Sequence, residues 1–106
     1  MKCTRTEIIG CGHYLPAKVL TNDDLSKIVD TNDEWISTRT GIRSRHIVAE
    51  GELTSDMALK AVNQAMDNAG VTAEELDVVV VATLTPDYTT PSVAARIAGK
   101  LGVKQG

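Results

Sequence analysis

The sequence predicts an α/β domain whose sheet is incomplete, and three observations carry that reading. Leu76-Asp77-Val78-Val79-Val80-Val81-Ala82 is apolar at consecutive positions, as in a central parallel strand covered on two faces. Ala58, Ala61, Val62, Ala65, Met66 and Ala69 recur at helical spacing, which predicts a helix over Ser55 to Ala69 stopped by Gly70. The expected order is strand, helices, strand, helix. Two strands cannot cover both edges of so apolar a central strand, so the sheet wants at least one more.

Taken in order, Glu7-Ile8-Ile9-Gly10-Cys11-Gly12 reads as a strand with two glycines on one face, where a helix or another backbone can come close. The third glycine of a dinucleotide-binding turn would fall at Leu15, and Pro16 stands where its helix should start, so that motif is set aside. Thr21-Asn22-Asp23-Asp24 offers a cap and early acidic residues for a short helix through about Val29. Thr31-Asn32-Asp33-Glu34 is a capping box opening a second short helix that should end at Gly41. Thr72-Ala73-Glu74-Glu75 is a further box for a single turn. A polar loop from Thr83 to Thr90 leads to a last helix, with Thr90 as cap, Pro91 in the first turn and Gly102 as the stop. Val103-Lys104-Gln105-Gly106 reads as the approach to a further strand.

The bulk numbers fit one domain with a modest core: 106 residues, 42% hydrophobic and 24% charged. A net charge of −3 argues against a protein that coats nucleic acid. No apolar run reaches the roughly 18 residues of a membrane span, and the first ten residues lack the core of an export signal. A cytoplasmic location is therefore expected. Cys3 and Cys11 have no metal spacing and read as small strand residues. His13 and His46 have no partners at ligand spacing, and helix capping explains Asp23, Asp24, Asp33, Glu34, Glu74 and Glu75. No complete catalytic constellation is present.

One set of residues suits a nucleotide. Thr31, Trp35 and Arg39 are spaced to share a helical face, with Arg43 and Arg45 nearby. An indole can stack on a base and a guanidinium can hold phosphate. Spacing alone favours the plainer reading, a cation–π pair between Trp35 and Arg39 or simple packing of the large apolar ring.

The string DTNDEWISTRTGIRSRH, Asp30 to His46, resembles the signature of the ketoacyl-acyl-carrier-protein synthase III family. IIGCGHYLPAKVLTNDDL, VVVVAT and PSVAARIAGKLG extend the likeness over nearly the whole chain. The resemblance implies that residues 1–106 are a partial amino-terminal thiolase-like domain, from a layered αβαβα fold, ending before the strand and helix that bear the nucleophile. It implies an acyltransferase that starts bacterial fatty-acid synthesis by decarboxylative condensation of an acyl-CoA primer with malonyl-acyl-carrier-protein. The expected partners are those two substrates and a second copy in a homodimer, with no cofactor, metal, nucleic acid or membrane. Catalysis in the family uses a Cys, a His and an Asn; none can be placed here, so the 106-residue chain alone is expected to be inactive. Binding roles do carry over. Trp35 is expected to stack on the CoA adenine, with Arg39 near the phosphates and Thr31 beside the nucleotide. Thr90 is expected to wall the acyl pocket across the dimer; some relatives carry a bulky aromatic there, so a small residue suggests a primer longer or more branched than acetyl. The alternatives are a starter-unit polyketide or alkylquinolone-type synthase of the same fold, or a non-catalytic dimerisation fragment.

Overall fold

The computed structural model describes residues 4–104, so Cys3 and the last two residues of the expected strand approach, Gln105 and Gly106, lie outside them. The chain forms two compact units, Leu15–Glu52 and the pair of segments Met1–Tyr14 and Leu53–Gly106.

The Leu15–Glu52 unit holds β1 (Lys18–Thr21), α1 (Asn22–Ser26), α2 (Asp33–Thr40) and β2 (Ser44–Ile47). The strands pair antiparallel, Lys18 opposite Ile47 and Thr21 opposite Ser44. Thr21 caps α1 reciprocally: its hydroxyl accepts from the Asp24 amide, and the Asp24 carboxylate accepts from the Thr21 amide. That helix is shorter than expected, because the amides of Ile28 and Val29 both turn back to the Leu25 carbonyl. At α2 the cap is Asn32, whose side chain accepts from the Trp35 amide at 2.8 Å, and not Thr31. Gly41 ends α2 at φ 73°, a left-handed conformation that glycine adopts without steric cost.

In the other unit, α3 (Thr54–Ala69) and α4 (Val93–Leu101) pack together around the buried Val93 and Ile97. The segment before Tyr14 crosses α3 at its small residues. A Cβ on Gly10 would lie 2.6 Å from the Ala65 carbonyl oxygen, and one on Gly12 would overlap the carbonyl oxygen of Ala61. The glycine pair and the alanine stripe therefore permit one close crossing, as their spacing predicts. Gln64 and Asn68 satisfy polar backbone on the crossing segment, accepting from the His13 amide and donating to the Cys11 carbonyl. Thr72 to Glu75 forms the expected single turn, with the Thr72 amide donating to Glu75. Ser92 caps α4, in place of Thr90.

Two expected strands are corrected. Neither Glu7 to Gly12 nor Leu76 to Ala82 is a strand, and the one sheet among the described residues is antiparallel. Extended backbone becomes a strand only when a neighbour supplies ladder hydrogen bonds, and these segments exchange none among the described residues. The valine run does alternate: Val79 and Val81 are half-buried, while Val78 and Val80 are 73% and 86% exposed. Cys11 is also exposed, not a buried strand residue.

Candidate functional site

Trp35 and Arg39 both lie on α2, one turn apart, and the Arg39 guanidinium sits over the indole at 4.7 Å from its centroid. Trp35 nevertheless remains 53% exposed. Thr31 precedes the helix and so is not on its face. It nevertheless lines, with Asp30, Asn32 and Trp35, a depression of about 280 Å³. The structure thus joins Thr31 to Trp35 through the depression and Arg39 to Trp35 through the ring. Thr90 belongs to the other unit and is exposed in the loop before α4.

The helix that carries this pair is polar and held at few points. Only Ile36 of its residues is buried. Ser37, Thr38 and Thr40 return their hydroxyls to carbonyls one turn back, at 2.7, 2.6 and 2.7 Å. Asp33 and Glu34 at its start and Arg39 at its end suit the helix dipole.

Two buried polar groups escaped the sequence reading. Asn22, one residue after the α1 cap, is 1% exposed and hydrogen-bonds to Asp33, Ile42 and Arg45. Asp87 anchors the Thr83–Thr90 loop: it accepts from the Ser55 amide at 2.9 Å, and its other oxygen lies 2.9 Å from Arg96 Nε, an ionic contact off the hydrogen-bond line. The carboxyl is held below its ordinary 3.8, first by the Ser55 side chain, against an opposing effect of burial, with the Ser55 amide and the Arg96 charge adding to the depression. Thr54 donates to the Thr85 carbonyl at 2.6 Å, and Arg96 also covers the Tyr88 ring. The only hint in the sequence was a lone Asp beside a proline in an otherwise uncharged loop.

Of the two histidines, His46 has a structural contact. Nδ1 of His46 lies 2.6 Å from the Pro16 carbonyl, which requires that nitrogen to carry the proton. Among the described residues no His, Cys, Asp and Glu side chains converge as a metal site, and no helix is long and apolar enough to cross a membrane.

No family model matches the chain. Individual relatives do. It is 57% identical over 102 residues to a beta-ketoacyl-[acyl-carrier-protein] synthase III of Rhodospirillum centenum, covering 96% of this chain and 32% of that protein. It is 60% identical over 97 residues to the enzyme of that name from Xanthomonas euvesicatoria, covering 92% and 30%. Among solved structures, 3-oxoacyl-[acyl-carrier-protein] synthase III of Aquifex aeolicus superposes with a TM-score of 0.86 at 50% identity, over 94% of this chain and 32% of that one. The priming beta-ketosynthase of the R1128 polyketide pathway superposes at 0.84 with 39% identity, over 92% and 29%. The chain therefore spans about a third of the length of the proteins it matches. Over that third, in sequence and in fold, the chain is similar to the amino-terminal part of beta-ketoacyl-[acyl-carrier-protein] synthase III proteins and shares their thiolase-like fold.

Proposed function

We propose that the protein takes part in the initiating condensation of fatty-acid synthesis, and that this chain supplies the adenine-binding part of its CoA site. The observation that carries the reading is the half-exposed Trp35, paired with Arg39 beside an open depression, in a chain 57% identical to a beta-ketoacyl-[acyl-carrier-protein] synthase III. In the proposed reaction an acyl group passes from CoA to a cysteine of the complete enzyme, releasing the CoA thiol. Malonyl-acyl-carrier-protein then loses carbon dioxide, and its carbanion attacks the thioester and expels the cysteine. Residues 1–106 act as a partial amino-terminal domain and are assigned no catalytic residue. The partners are acyl-CoA, malonyl-acyl-carrier-protein and a second copy of the protein.

The test is direct condensation of labelled acyl-CoA with malonyl-acyl-carrier-protein, run on the complete protein and on the 106-residue chain. Product with the complete protein and none with the chain is expected; a complete protein that binds CoA but forms no ketoacyl product defeats the proposal.

A second reading, a starter-unit synthase of a polyketide pathway, gains support from the likeness to the R1128 priming enzyme. Thr90, small and exposed, fits either reading with a primer larger than acetyl. Acetyl-, isobutyryl- and octanoyl-CoA compared as primers separate the cases, and strict preference for acetyl would remove the argument from Thr90.

A further inference from the structure

Asn22 holds both ends of α2. Its side-chain nitrogen donates to the Asp33 carboxylate at 2.8 Å and to the Ile42 carbonyl at 2.8 Å. Asp33 is the first residue of that helix, and Ile42 follows its cap, Gly41. The side-chain oxygen accepts from Arg45 Nη2 at 2.7 Å, and Arg45 Nη1 reaches the Leu20 carbonyl at 3.2 Å, which ties the amide to both strands of the sheet. The Asn22 backbone amide adds a bond to the Arg43 carbonyl at 3.1 Å. Reversing the carboxamide would set its oxygen against two acceptors and its nitrogen against a guanidinium, so the network admits one orientation.

An eight-residue helix is marginal by itself, and α2 has one buried apolar residue, Ile36. A single apolar anchor does not fix rotation about the helix axis. Two polar anchors at opposite ends do. We propose that Asn22 is a positioning residue, whose buried carboxamide sets the rotation of α2 and with it the presentation of Trp35 and Arg39. For its ligand the inference rests on the CoA reading above. For its geometry it does not.

The variant Asn22→Asp is nearly isosteric, keeps the acceptor for Arg45, loses both donors and places a second carboxylate against Asp33. The readouts on the complete protein are the tryptophan band of the near-ultraviolet circular dichroism, assigned by its loss in Trp35→Ala, and the kinetics with acyl-CoA. The variant is expected to weaken that band and raise KM for acyl-CoA about tenfold with kcat little changed. Adding Asp33→Asn in the same chain removes the clash of carboxylates and restores a hydrogen bond with donor and acceptor exchanged, so it should recover part of both. Should Asn22→Asp fail to fold, Asp33→Ala at an exposed position removes one anchor alone and should shift both readouts in the same direction. A folded variant with the Trp35 band and KM unchanged overturns the inference. A parent protein in which CoA binding ignores Trp35, while Asn22→Asp still alters the band, defeats the CoA reading and leaves the positioning role standing.

Discussion

Replacing Trp35 by Ala should weaken CoA binding through the adenine half of the ligand alone. The ring is 53% exposed in the free chain, with Arg39 at 4.7 Å from its centroid. Stacking of a base on such a ring is worth about 1–3 kcal/mol by alanine substitution. If the base displaces Arg39, the exposed cation–π pair is lost, at about 0.5–1 kcal/mol, unless the guanidinium finds a phosphate. The net loss on truncation is then about 0.5–2 kcal/mol, or roughly two- to thirtyfold in Kd. Calorimetric titration of parent and variant with CoA measures this, and titration with phosphopantetheine, which lacks the adenosine, is the control. The variant should bind phosphopantetheine as the parent does. Phe at position 35 should recover part of the loss, since a π-face is kept. Equal CoA affinity in parent and Trp35→Ala, or equal weakening toward both ligands, refutes stacking and leaves Trp35 and Arg39 as a structural pair.

Three further outcomes follow from packing and charge. Gly12→Ala should destabilise by about 1–3 kcal/mol, because the obstruction is backbone of α3 that cannot rotate away. In contrast, Gly99→Ala on α4, where nothing lies within 4 Å, should raise stability by about 0.5–1 kcal/mol; calorimetric melting of the two variants must show opposite signs. Ile97→Ala, at a residue 1% exposed, should cost about 2–5 kcal/mol in urea unfolding, and a loss within 0.5 kcal/mol would mean that α4 is held elsewhere. Asp24, Asp56 and Asp87 all titrate below the ordinary 3.8, through the Thr21 amide, the Leu53 amide and the Ser55 side chain first, respectively. Folded values below unfolded ones give stabilisation that is present above 3.8 and lost as pH falls through the folded values. Melting temperature should therefore hold from neutrality to about pH 4–5 and fall below it, with a shallower acid fall in Asp87→Asn.

Local chemistry made much of this legible. Gly41, Gly70 and Gly102 stop their helices because each takes the left-handed conformation with its amide turned back into the last turn. Two periodicities that each place small residues on one face made a close neighbour legible for Gly10 and Gly12 and for Ala61, Ala65 and Ala69, while that the two rows meet each other came from the structure. The β1–β2 pairing was not legible, because four-residue strands with exposed polar positions carry almost no pattern. Asn32 and Ser92 took the caps assigned to Thr31 and Thr90, since neighbouring Ser, Thr and Asn residues compete for one place and backbone direction decides. The contact between Trp35 and Arg39 was readable from spacing. Asn22 was not, because its partners lie 11, 20 and 23 residues away.

The crossing of Gly10 and Gly12 over α3 also limits the order in which this sequence can change. Neither side has a vacancy: a methyl on Gly12 meets main chain, and a larger group at Ala65 or Ala69 meets the segment that the glycines let in. A step that enlarges one side is harmful until the other has moved, and the other has nothing left to give up, because glycine is already the smallest residue. Substitutions along this line are therefore confined to the outward positions between them, and Cys11, which is exposed, is free to vary where its two neighbours are not.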